Sequence, residues 1–109
     1  MIMEKVFIVE IDWNLKGEMG HDILAVTTED CIKEVFKKLV EEEKNESYLE
    51  KFFNTDGTLK EEFKTNGDIE VYEENDKYFN LLTSDFEYYT TMWVTEKNII
   101  KNNPENKGA

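Results

Sequence analysis

Arginine and glutamine are missing from this 109-residue chain, and cysteine and histidine occur once each, as Cys31 and His21. Each gap excludes a chemistry. Without arginine there is no planar fork to grip phosphate or carboxylate at two points. With 13 lysines against 25 acids, a net charge of −12, direct nucleic-acid binding is not expected. A lone cysteine rules out an intramolecular disulfide, and one cysteine with one histidine assembles neither a zinc set nor a nucleophile with its base and a second, orienting histidine. No glycine-rich phosphate loop occurs. The longest apolar run near the start, Val6–Val9, is too short for a signal-peptide core, and no stretch approaches membrane-spanning length. The default compartment is the cytoplasm of the cell that makes it.

What is present is enough to fold. Hydrophobic residues are 39% of the chain and aromatics 13%, far from the signature of disorder, and this length suits one domain with one modest core. Asn, Lys, Ile, Phe and Tyr are plentiful, which points to an AT-rich coding sequence.

Residues 5 to 13 alternate as a strand, with Phe7, Val9, Ile11 and Trp13 on one face and Val6, Ile8, Glu10 and Asp12 on the other. Asn14–Gly20 reads as a hairpin loop and Asp22–Thr27 as the second strand. Thr27 or Thr28 is positioned to cap a helix over about Glu29 to Glu43, whose Ile32, Val35, Phe36, Leu39 and Val40 recur on one face. Ser47–Glu50 and Thr58–Glu61 have capping-box spacing, so one or two short helices are expected next. Strands follow at Asp68–Glu73, Tyr78–Thr83 and Phe86–Thr95, with short turns between them. The expected fold is α+β: a single domain over residues 1–97, in ββααβββ-like order, with an antiparallel sheet of about five strands against one main helix. Residues 98–109 are expected to form a frayed polar tail.

Asn54-Thr-Asp-Gly-Thr-Leu59 matches the middle of a calcium loop, but Phe52 and Phe63 stand where the first and last ligands belong. No metal or cofactor is expected, and the abundant carboxylate pairs carry no catalytic signal without a cleft. The expectation is a non-enzyme.

The informative region is residues 67–96. It holds eight acids, Asp68, Glu70, Glu73, Glu74, Asp76, Asp85, Glu87 and Glu96, against Lys77 alone. With Ile69 and Val71 facing the core, Asp68, Glu70, Tyr72 and Glu74 share the outer face. There they join Tyr78, Asn80 and Leu82, then Glu87, Tyr89, Thr91, Trp93 and Thr95. Carboxylates two residues apart on a strand lie about 6.8 Å from one another, close to twice the roughly 3.4 Å axial phosphate spacing of one DNA strand. The expected partner-binding residues are Glu70, Tyr72, Glu73, Glu74, Asp76, Tyr78, Asp85 and Glu87.

Size, arginine-free composition and the acidic sheet from Gly67 to Thr95 resemble the small α+β proteins carried by phages and mobile elements of low-GC bacteria, anti-CRISPR proteins among them. The resemblance implies an inhibitor that fills the basic nucleic-acid channel of a host nuclease, Cas9-type effectors included. The alternative expectation is a homo-oligomeric interaction or regulatory module, for instance a homodimer, whose aromatic sheet face is an ordinary interface.

Overall fold

Alternation of apolar and polar residues from Ile2 onward produces β1 (Ile2–Leu15), a strand of 14 residues. It turns at Lys16 and Gly17, both with positive φ (51° and 97°), into β2 (Glu18–Thr27). Two consecutive left-handed residues make the tight turn whose twist matches a hairpin, and the Asn14 side chain accepts the Gly17 N–H at 3.0 Å. The expected seven-residue loop is therefore two residues long, and β2 starts four residues before Asp22. A computed structural model describes residues 2–101, and the side chains of residues 4–100.

Helix α1 spans Ile32–Lys44, starting later than expected: neither threonine caps it, and the Thr28 carbonyl accepts the N–H groups of Cys31 and Ile32. A 3₁₀ turn at Glu50–Phe52 and the one-turn helix α2 (Glu62–Thr65) follow, both without side-chain caps. The capping boxes do not form: Thr58 bonds instead to Asp56 Oδ1, through its N–H at 3.0 Å and its hydroxyl at 2.6 Å. These bonds hold the Asp56 carboxyl below its usual range. Strands β3 (Ile69–Glu74), β4 (Tyr78–Thr83) and β5 (Tyr88–Lys101) complete a five-stranded antiparallel sheet in the order β2-β1-β5-β4-β3. The fold is thus α+β, with one main helix.

The long central pair closes the two hairpins into one sheet, since β5 runs antiparallel to β1 from Leu15↔Tyr88 to Ile2↔Lys101. The expected start of the tail at Asn98 therefore falls inside a strand, where Asn98 to Lys101 pair with Ile2 to Lys5. The remaining tail lies outside the described residues.

One face of the sheet receives α1 and the segments after it. Val9, Ile11, Met92, Phe79 and Leu81 from the strands meet Phe36, Val40, Leu49, Phe52, Phe53 and Leu59, all buried. At the hairpin end of this face Trp13 lies across Gly20, where a Cβ would come within 2.4 Å of the indole ring, so only glycine allows the approach. A polar network sits beneath the helix: the Tyr48 hydroxyl donates to Glu43 and lies 2.8 Å from Thr90 Oγ1. Burial pushes both the Glu43 carboxyl and the Tyr48 phenol up.

Candidate functional site

The opposite face of the sheet has no helix on it among the described residues. Strand registers order its side chains into rows that cross the sheet. Val26, Ile8 and Thr95 form one, and Ile23, Glu10, Trp93 and Tyr78 the next. His21, Asp12, Thr91, Asn80 and Glu73 form the third, and Met19, Asn14, Tyr89, Leu82 and Val71 the fourth. Five strands about 4.8 Å apart make this face roughly 20 Å wide. No lysine occurs in these four rows, while Glu10, Asp12 and Glu73 do; the row beyond the first on this face, Val6 beside Lys97, carries one.

Polar groups at the centre of the face satisfy one another. Thr91 Oγ1 lies 3.0 Å from Asn80 Oδ1, and the Thr95 hydroxyl donates to Glu10 Oε2 at 2.7 Å. His21 Nδ1 is 2.5 Å from Asp12 Oδ1, its Nε2 is 3.4 Å from Glu10 Oε1, and its ring lies 5.8 Å from that of Trp93. The hydrogen bond to Asp12, joined by the charges of Asp12 and Glu10, holds the imidazole protonated above its ordinary range, against a smaller opposing effect of desolvation.

The eight expected site residues are not one surface. A β-bulge between Ile69 and Val71 inserts Glu70 as an extra residue and reverses the alternation beyond it. Val71 turns outward at 38% exposure, whereas Tyr72 turns inward onto Phe53 and Phe79, at ring separations of 6.0 and 6.2 Å. Glu74 follows Tyr72 to the helix side and accepts two bonds from Lys44 Nζ, at 2.7 and 2.9 Å. Lys44 is buried over the Phe53 ring and also donates to the Gly57 carbonyl at 2.7 Å. Asp76, in the β3–β4 turn, faces Lys33 of α1 at 3.6 Å. Glu96, on β5, pairs with Lys5 of β1 at 3.9 Å, so three of the eight acids counted as uncompensated in residues 67–96 are answered by lysines far away in sequence.

Asp85 and Glu87 lie in the β4–β5 loop at the other end of the sheet, where Asp85 Oδ1 accepts the Thr83 hydroxyl at 2.6 Å and the Glu87 N–H at 3.0 Å. These bonds keep its carboxyl below the usual range. Glu70 is exposed on the β3 edge. Only Glu73 and Tyr78 of the expected set stand on the bare face, with Tyr89, Thr91, Trp93 and Thr95 where alternation put them. Glu10, Asp12 and His21 were missed. The signal was available for the first two: carboxylates at i and i+2 on the polar side of the first strand.

No protein-family model, curated protein sequence or solved structure matches the chain. No helix among the described residues is long and apolar enough to cross a membrane.

Proposed function

We propose that this chain is a non-enzymatic binding protein, a ββααβββ-like scaffold whose bare sheet face occupies a basic, nucleic-acid-binding surface of another bacterial protein. Cas9-type nucleases are included in this class of target, and the encounter takes place in the cytoplasm. The observation that carries this reading is the composition of the four rows: Glu10, Asp12 and Glu73 without any lysine, beside Trp93, Tyr78 and Tyr89. Glu10 and Asp12 are two residues apart on one strand, hence about 6.8 Å along it, the axial spacing of alternate phosphates on one DNA strand. Aromatic anchors beside carboxylates combine hot-spot burial with electrostatic steering.

The test is competition: the protein should displace guide RNA or target DNA from such a nuclease, with an affinity that falls as salt rises. Neutralising Glu10→Gln, Asp12→Asn and Glu73→Gln together should weaken binding about tenfold or more at low salt. The same neutralisation of Glu34, Glu41 and Glu42, exposed on α1, is the control. Equal losses from both triples would assign the effect to net charge and overturn the role of this face.

One observation favours the homo-oligomeric alternative. Edge strand β2 exposes Met19, Ile23 and Val26, at 78, 60 and 61%. A concentration-dependent dimer in sedimentation velocity, lost in Ile23→Lys, would support it.

A further inference from the structure

On the bare face, His21 already sits where a partner's cation belongs. Its ring lies between the Asp12 and Glu10 carboxylates, 2.5 and 3.4 Å from its two nitrogens, and 5.8 Å from the Trp93 ring. Two carboxylates beside an indole are the surroundings a guanidinium prefers, because it donates in-plane to carboxylates while its flat face stacks on an aromatic ring. The groups around His21 come from few elements. β1 supplies Glu10 and Asp12, and β5 supplies the uncharged Trp93 and Thr95, the latter through its bond to Glu10. On β2 itself, Glu18 lies beyond Met19, and Asp22 points to the helix side, 3.4 Å from the Trp13 indole nitrogen. No other element packs on this face among the described residues.

Resting on the function proposed above, we infer that the bare face takes a basic protein segment that places an arginine between Glu10, Asp12 and Trp93, displacing His21 from the two carboxylates it now holds.

The chain cannot fill this place itself. It contains no arginine, so neither residues 102–109 nor a second copy brings a guanidinium. Charge complementarity therefore selects a different, basic protein. Because arginine and the imidazolium compete for the same carboxylates, docking lowers the proton affinity of His21 and releases a proton. Affinity must then rise with pH through the range in which His21 titrates, by at most tenfold per pH unit for one proton.

A fluorescently labelled hexa-arginine peptide is the probe, with labelled hexalysine beside it, at low salt. Between pH 6 and 8.5 the affinity of the wild-type protein for hexa-arginine should rise on the order of tenfold, with hexalysine binding more weakly throughout. His21→Gln should bind at pH 6 as tightly as the wild type does at pH 8.5, without pH dependence. His21→Lys, a permanent internal cation, should bind weakly across the range. Independently of any variant, the imidazole titration followed by NMR should move to lower pH when hexa-arginine is present. Affinity that is flat with pH, pH dependence surviving in His21→Gln, an unmoved imidazole titration, or equal affinity for hexalysine each overturns the inference. If hexa-arginine binding is lost on neutralising Glu10, Asp12 and Glu73 but ignores pH and His21, only this inference falls. Absence of binding at every pH removes the proposed function with it.

Discussion

The two faces of the sheet are made by alternate residues of the same strands, yet they are chemically opposite. On the helix side Val9, Phe79, Leu81 and Met92 are fully buried, while one residue away Ile8, Asn80, Leu82 and Trp93 remain half-exposed. The covered face even absorbs charge: Lys44 reaches Glu74 and the Gly57 carbonyl at the end of α1, so that its ammonium is buried but fully bonded. The bare face pairs its own polar groups across strands instead, and no buried side-chain N or O atom among the described residues lacks a partner. A carboxylate on the helix side is thus spent on the fold, whereas Glu73 on the bare side forms no ion pair among the described residues and is available to a partner. The two edges of the sheet differ in the same spirit. Both edges are bulged, but β3 is short and acidic, which discourages further strand pairing, whereas β2 is ten residues long and carries neither lysine nor proline.

The contrast is broken most severely from the covered side. Phe36 is 1% exposed at the centre of the core, and Phe36→Ala should cost about 3 to 5 kcal/mol in urea denaturation. A loss under about 1 kcal/mol would show that α1 does not organise this face.

Next in size is the buried lysine. Lys44→Met leaves Glu74 without its partner; with that carboxylate one-third exposed, the cost should be about 2 to 3 kcal/mol. Adding Glu74→Gln should restore most of it, because no unpaired charge remains and the Tyr72 hydroxyl keeps an acceptor. A double variant as unstable as the single would mean that the ion pair itself, not the stranded charge, supplies the stability.

Gly20→Val sharpens the boundary between the faces by driving a side chain into the Trp13 ring, with an expected loss of about 1 to 3 kcal/mol. In a Trp93→Phe background, Trp13 fluorescence should shift to the red as the ring is levered into water. On the bare face the triple neutralisation of Glu10, Asp12 and Glu73 should change stability by less than about 1 kcal/mol. A larger loss would make these acids part of the fold.

The smallest effect belongs to His21. Its pKa is raised in the folded state by Asp12 and Glu10, so the stability it contributes is fully present below the unfolded imidazole pKa and is lost as pH rises through the folded one. The Tm of the wild-type protein should therefore fall slightly relative to His21→Gln between pH 6 and 9. An unchanged difference would show that the clasp between β1 and β2 does not depend on charge.

Local pattern made much of the fold legible. The alternation of Phe7, Val9 and Ile11 and the helical spacing of Phe36 and Val40 each name a core face, because a side chain's direction follows from backbone period alone. The short turns of the meander and the outward phase of Tyr89, Thr91, Trp93 and Thr95 were likewise readable. Two local errors have local causes. The two-residue turn at Lys16–Gly17 put a left-handed lysine where glycine or asparagine is the usual signal, and no threonine cap was needed where a backbone turn at Thr28 served.

The candidate site was harder to read because its errors are not local. From the sequence alone came the faces of β1, β4 and β5, the helix, the lack of arginine and the excess of acid. Tertiary structure decided which acids matter. A single inserted residue at Glu70 moved Tyr72 and Glu74 across the sheet, since the strand period of two turns a one-residue slip into a change of face. Lys33 and Lys44 neutralised Asp76 and Glu74 from α1, some thirty to forty residues away. The pairing of β5 with β1 and of β1 with β2 brought Trp93 and His21 onto Glu10 and Asp12. Charge counted along a window ignores such cross-chain pairing, because an electrostatic interaction depends on distance in space and not on separation in sequence.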